Sequence, residues 1–188
     1  KGSVEVSASK NAALPMIMAS ILSDKRVRFE NLPRLTDVDF ALRILLELGG
    51  KVSMNKEGHH IVADIDFTND ANFIAPYDLV RKMRASISVL GPLLARFGKA
   101  KVSLPGGCAI GARPVDLHIM VMEKLGAKIS VDDGYILATA DKLKGTEIIF
   151  PFVSVGATQS AMMTSAMAKG TSVIRNVSME PETVELGH

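Results

Sequence analysis

The sequence has no tryptophan, two tyrosines and seven phenylalanines, and aromatics make up only 5% of its 188 residues. That leaves little for stacking nucleic-acid bases. The formal net charge of +2 is likewise too small for the electrostatic footprint of a nucleic-acid binder. A single cysteine excludes an internal disulfide and fits a reducing cytoplasm. The chain has no apolar run near the roughly 18 residues of a membrane helix, and Lys1-Gly2-Ser3 opens nothing like a signal peptide. With His59 and His60 side by side and no His/Cys/Asp group at metal-ligand spacing, no bound metal is expected. There is no G-x-x-x-x-G-K-[ST] and no strand–GxGxxG–helix opening, so neither phosphate-loop fold applies. Nucleic acid and membrane are excluded as partners, and an organic cofactor is not expected.

What is present is an ordinary soluble composition, 47% hydrophobic and 22% charged, enough for one domain with a proper core. The chain begins without methionine, and Thr183–His188 stops just after a helix start, so we expect a piece of a longer protein.

Element signals recur. Residues 9–23 form an alanine- and methionine-rich helix with few charges, expected to be buried nearly all round. A strand over Val27–Leu32 follows, then Pro33 and a helix over Thr36–Leu48. That helix has Thr36 as candidate cap, Asp37 and Asp39 in its first turn, apolar residues at Val38, Leu42, Leu45 and Leu48, and Gly49 as its stop. Strands Lys51–Met54 and His59–Asp64 are joined by a turn at Asn55–Gly58.

The order then repeats. An apolar helical stretch runs over Pro76–Phe97, which Pro92 ends or kinks, and the strand Lys101–Leu104 follows it. An amphipathic helix runs over Pro114–Leu125 with Gly126 as its stop. Strands Lys128–Val131 and Tyr135–Ala140 are joined at Asp132–Gly134. The helix ends show the kinship directly: L-L-E-L-G-G-K-V-S at 45–53 against M-E-K-L-G-A-K-I-S at 122–130. A third copy starts with the helix at 154–168, the strand Thr171–Asn176 and Pro181-Glu182-Thr183-Val184. The fold class expected is therefore α/β, with repeat units at about 9–64, 75–140 and 154–188 and the third cut short.

The stretch Lys101–Leu117 carries the most chemistry. Pro105-Gly106-Gly107 breaks a strand, Cys108 sits in the loop beyond, and Arg113-Pro114 opens a helix with proline at its first position. A lone cysteine is commonly a small buried apolar side chain. A thiol near a helix start and an arginine, however, is where a cysteine pKa falls and a working thiolate forms. Lys10 with Asn11, Arg84 and Arg113 lie at helix openings or at the edge of this loop in successive units. A lone cation in an apolar helix is usually a snorkelling side chain. If the units pack about a pseudo-threefold axis, though, these cations converge at one end, where helix N-termini add partial positive charge and an anionic, phosphorylated ligand fits.

These residues resemble one family. S-K-N-A-A-L-P (9–15), A-P-Y-D-L-V-R-K-M-R-A-S (75–86), L-P-G-G-C-A-I-G-A-R-P-V-D-L-H (104–118) and S-V-G-A-T (154–158) are similar to the UDP-N-acetylglucosamine enolpyruvyl transferases that open bacterial peptidoglycan synthesis. The cysteine loop with R-P-V-D-L-H is the specific part, and the likeness runs along essentially the whole chain. It implies an inside-out α/β fold, with helices inside and sheets outside, in two similar domains of which this chain is most of one; the second would belong to the same full-length protein. It also implies transfer of the enolpyruvyl group of phosphoenolpyruvate to the 3′-hydroxyl of UDP-N-acetylglucosamine, with phosphate released. By the same resemblance Cys108 is a proton donor that can form an adduct with phosphoenolpyruvate and is alkylated by fosfomycin. Lys10, Asn11 and Arg113 contact phosphoenolpyruvate. Arg84, Arg113, Pro114, Val115, Asp116, Leu117, Val153, Ser154 and Val155 contact the UDP-sugar. Phe152 departs from the lysine found there in some members, which removes one cationic contact. The family's aspartate base and further arginines lie in the other domain, so the chain alone is expected to be inactive.

Overall fold

The computed structural model describes the chain apart from residues 5, 68–71, 76–83 and 105–114, with backbone alone at 84–86. Helix α1 (Lys10–Ala19) opens on Ser9, whose extended backbone and side-chain oxygen cap Ala12 N–H. Ala13, Leu14, Ile17 and Met18 are buried, as expected of a helix with so few charges, and a 3-10 turn at Ser20–Leu22 finishes it. Pro15 sits inside α1 and has no N–H to give back to the helix.

β1 (Val27–Pro33), α2 (Thr36–Glu47), β2 (Lys51–Glu57) and β3 (His60–Asp66) complete the first unit. Val38, Leu42, Leu45 and Leu48 are all fully buried, so the predicted helical stripe faces the core. Thr36 is not the cap: extended Leu35 holds that position without a side-chain hydrogen bond, and Thr36 is the first helical residue. Gly49, at φ +90°, ends the helix in the left-handed conformation that glycine adopts freely. The hairpin turn is tighter than Asn55–Gly58, because β2 and β3 stay paired as far as Glu57 and His60. Only Gly58 and His59 are left to turn the chain, and Gly58 supplies a φ of +55°.

In the second unit a 3-10 segment, Arg84–Val89, leads into α3 (Leu90–Phe97). Pro92 neither ends nor kinks that α-helix. It lies in the first turn, where no N–H is required, and the regular α-helix begins just ahead of it. Then come β5 (Lys99–Ser103), α4 (Asp116–Lys124), β6 (Lys128–Asp132) and β7 (Tyr135–Thr139). α4 starts two residues after the predicted Pro114, with Val115 at its N-cap. Asp133 and Gly134, both at positive φ, make the second hairpin turn.

The first sheet runs β1-β3-β2, and β5-β7-β6 repeats that order and its antiparallel pairing strand for strand. Two short strands have no counterpart in the sequence reading. β4 (Ile74–Ala75) pairs parallel with β5, and β8 (Glu147–Ile149) pairs parallel with β9 (Val173–Arg175). Helices α5 (Val155–Ser165) and α6 (Pro181–Gly187) belong to the third group of elements, and Pro181 takes the first helical position of α6.

The outer strands β2 and β6 are largely exposed, while α5 is buried continuously from Ala157 to Ala161. The arrangement is therefore inside-out: α5 packs against α3, α4 and α6 at the centre, and the sheets form the outside. Its small residues allow close packing. A Cβ on Gly91 of α3 would overlap Thr164 Oγ1, which donates at 2.6 Å to Ser160 O. Gly91→Ala should therefore cost about 1–3 kcal/mol in urea unfolding, and Gly91→Ala with Thr164→Ala should lose less than the two single losses summed. Strict additivity would show that the helices do not touch there.

Candidate functional site

Ser9 and Ser154 play one role twice. Each has an extended backbone, each caps a first-unit-type helix, and each accepts from the alanine three residues on, Ala12 and Ala157. The first two helical residues after the capping serine are Lys10 and Asn11 in the first unit and Val155 and Gly156 in the third. One helix start therefore offers an ammonium and an amide, and the other offers bare backbone N–H groups. Both suit an anion, since the first N–H groups of a helix lack internal partners.

Lys10 is half-buried and donates to Asp37 Oδ2 at 2.9 Å, while Asn11 beside it is exposed. Asp37 lies in the first turn of α2, so two helix openings from one unit are tied together. α1 also touches the 3-10 segment that Arg84 opens, and that segment touches α5. Of the Arg84 side chain nothing is described, and Cys108, Arg113 and Pro114 lie outside the described residues.

The predicted UDP-sugar residues on α4 and α5 come together. Val115 caps α4, Asp116 is its exposed first residue and Leu117 is half-buried. Val153 is exposed, Ser154 caps α5 and Val155 is its first residue. α4 packs on α5, and a Cβ on Gly156 would stand 3.6 Å from His118 Nε2. The imidazole thus borders the start of α5 at Gly156, within ordinary van der Waals contact of a Cβ built there. Phe152, directly before this turn, is 57% exposed and puts an aromatic face rather than a charge at its edge.

His118 is the residue that sequence reasoning passed over, although it ends the R-P-V-D-L-H run. It is buried, its Nδ1 has no hydrogen-bond partner, and burial pulls its pKa from 6.5 down to about 4. The ring is therefore neutral at physiological pH, with one nitrogen able to donate and the other to accept. Asp37 was legible only as an acid at a helix start; its partner Lys10 is 27 residues away. Among the described residues no cluster of three or more His, Cys, Asp or Glu could hold a metal, and no helix is long and apolar enough to cross a membrane.

The comparisons with known proteins agree with this geometry. The family model of EPSP synthase (3-phosphoshikimate 1-carboxyvinyltransferase) matches residues 1–187, so the chain belongs to that family of carboxyvinyl transferases. Within it, the chain is 52% identical over 188 residues to the UDP-N-acetylglucosamine 1-carboxyvinyltransferase of Aliivibrio salmonicida. It is 50% identical over 186 residues to that of Escherichia coli O1:K1. These alignments take in 100% and 98% of this chain but 43% of each relative, so the chain spans less than half the length of the curated relatives it matches. Among solved structures, the enolpyruvyl transferase NikO from Streptomyces tendae superposes with a TM-score of 0.82 at 21% identity, over 99% of this chain and 43% of that one. An EPSP synthase from Acinetobacter baumannii gives 0.76 at 16%, over 97% and 42%. Both share the enolpyruvyl-transferase fold.

Because unfolded histidine protonates near 6.5 and folded His118 only near 4, the unfolded state binds more protons between these values. His118 therefore favours the folded state fully above pH 6.5; its contribution, at most about 3 kcal/mol, is lost as pH falls towards 4 and changes no further below. Replacing it with a non-titrating residue, His118→Asn, should flatten the pH dependence of unfolding free energy between pH 7 and 5. Parallel curves for the two proteins would show that His118 is not buried as described.

Proposed function

We propose that this chain forms most of one domain of an enolpyruvyl transferase that moves the enolpyruvyl group of phosphoenolpyruvate to the 3′-hydroxyl of UDP-N-acetylglucosamine, releasing phosphate. The observation that carries this is the 50–52% identity along the whole chain to relatives named for that reaction. The cysteine loop and R-P-V-D-L resemble the uridine side of the UDP-sugar enzymes, which favours the UDP-sugar over shikimate 3-phosphate as acceptor. The repeat units at about 9–64, 75–140 and 154–188 would make up this domain. A second, similar domain of the same protein would supply the base for the sugar hydroxyl and further arginines, so that this chain alone turns nothing over.

In this reading Lys10, Asn11 and Arg113 hold phosphoenolpyruvate. The adjoining starts of α4 and α5 hold the nucleotide, through Arg113, Pro114, Val115, Asp116 and Leu117 on one side and Val153, Ser154 and Val155 on the other, with Arg84 beside the sugar. The Cys108 thiol gives its proton to the methylene carbon of phosphoenolpyruvate while the sugar hydroxyl adds to the neighbouring carbon and loses its proton to the base. Departure of phosphate and return of a proton from the methyl group then restore the double bond and yield the enol ether. Protonation at carbon is slow without a placed acid, which is the role this reading gives the thiol. The same thiolate would open the epoxide of fosfomycin. The reaction places the full-length protein at the entry to bacterial peptidoglycan synthesis, in the cytoplasm.

The test is phosphate release from phosphoenolpyruvate by the full-length parent protein, with UDP-N-acetylglucosamine or shikimate 3-phosphate as acceptor. Release is expected only with the UDP-sugar, and Cys108→Ser should slow it by about 100-fold or more. Release with shikimate 3-phosphate would overturn the acceptor. Silence with both would leave a UDP-sugar-binding paralogue as the better reading.

A further inference from the structure

Lys10 stands in a place that its own helix does not favour. As the first residue of α1 it puts a positive charge at the positive end of the helix dipole, and no acid lies in that first turn. What meets it is Asp37, whose carboxylate is 2.9 Å from Nζ and reaches across from α2, which packs on α1. Both side chains are half-buried, with 42% and 40% of their surfaces open to solvent. An ion pair so open to water contributes about 0–1 kcal/mol to stability. Asp37 is already favourable at the start of α2 without any partner. Stability therefore gives no strong reason for this pair.

Geometry gives a better one. A lysine side chain turns about four torsions, and left alone its ammonium samples a wide volume of solvent. Asp37 takes one of the three N–H donors and fixes where the nitrogen stands, leaving two donors for another anion. In the third unit, where the equivalent position is Val155, the helix start offers backbone N–H groups already fixed by the fold. Of these two units, the first uses a flexible side chain, and that side chain is braced from a second helix.

We propose that Asp37 is the positioning residue for Lys10: it holds the ammonium at the shared opening of α1 and α2 so that it meets the anionic donor substrate with little ordering left to do. This rests on the reading of Lys10 as a phosphoenolpyruvate contact. Asp37 itself touches no substrate and acts through Lys10. Its negative charge opposes an incoming anion, so deletion would strengthen donor binding if charge alone mattered and weaken it if placement matters.

The experiment uses the full-length parent protein in a double-mutant cycle of Asp37→Asn and Lys10→Ala, with Asp37→Glu as the conservative variant, and measures phosphate release against each substrate. We expect Asp37→Asn to raise KM for phosphoenolpyruvate about tenfold and leave KM for UDP-N-acetylglucosamine within twofold, with partial recovery in Asp37→Glu. Asp37→Asn should also have no further effect once Lys10 is alanine. Thermal midpoints should stay within about 2 °C, as befits an exposed pair. As an activity-free readout, acetic anhydride labelling of the full-length parent protein should acetylate Lys10 faster in Asp37→Asn than in wild type, relative to Lys25. A phosphoenolpyruvate KM that is unchanged or lower in Asp37→Asn, equal effects with and without Lys10, or unchanged labelling overturns the proposal. If the wild-type protein releases no phosphate with either acceptor, the enolpyruvyl-transfer reading fails first and the proposal goes with it.

Discussion

Everything in this fold is arranged around the burial of α5. A helix hidden along five consecutive residues has no face to give to water, so it must be surrounded by other helices, and its side chains must be small enough for them to approach. Its buried Thr158, Ser160 and Thr164 are polar, and two of them turn their hydroxyls onto carbonyls one turn back, Ser154 O and Ser160 O. Ser160 Oγ is buried without a hydrogen-bond partner among the described residues, so the helix serves as a core with its two threonine hydroxyls satisfied within the helix. Thr158 also accepts the N–H of Ser178, tying the approach to α6 onto the same helix. With helices filling the centre, the sheets are left to the outside, where β2 and β6 meet solvent.

The same constraint creates the site. Helices gathered side by side bring their ends together, and here the openings of α4 and α5 adjoin across His118 and Gly156, while those of α1 and α2 are joined by Lys10 and Asp37. Unpaired N–H groups concentrate at such openings, and partial positive charge with them. The described side chains add to this background in three ways. One lysine is braced, one histidine is kept neutral by burial, and Phe152 puts an apolar face at the margin. On the third-unit side, the described groups that would suit an anion are backbone N–H groups already fixed by folding.

Much of this was legible beforehand, for identifiable reasons. The stripe Val38, Leu42, Leu45, Leu48 and the stops at Gly49 and Gly126 are local rules, and they hold. The recurrence of L-G-G-K-V-S as L-G-A-K-I-S anticipated a repeated run of elements, and the two sheets built from them share one strand order. What escaped was set by distance or by neighbours. β4 and β8 are two and three residues long, too short to show a period, and exist because β5 and β9 offer them an edge. Pro92 reads as a breaker, but it opens its helix because the chain before it coils as a 3-10 segment. The Asp37–Lys10 pair and the burial of His118 arise from helix packing, which no local window contains. The thiol loop that carried most of the sequence inference falls outside the described residues.

One contact changes how the repeats are to be understood. Arg96, at the end of α3, donates to Ile21 O at 2.7 Å and to Ser23 O, closing the carbonyl end of the first unit's leading helix. Those carbonyls would otherwise look to water. The guanidinium that satisfies them comes from the second unit and lies over Phe97. The first unit, then, does not finish itself; its last turn is latched by its neighbour. Beads on a string can fray one at a time, but a latched pair opens together, so the boundaries at which this chain comes apart need not be the boundaries at which its sequence repeats.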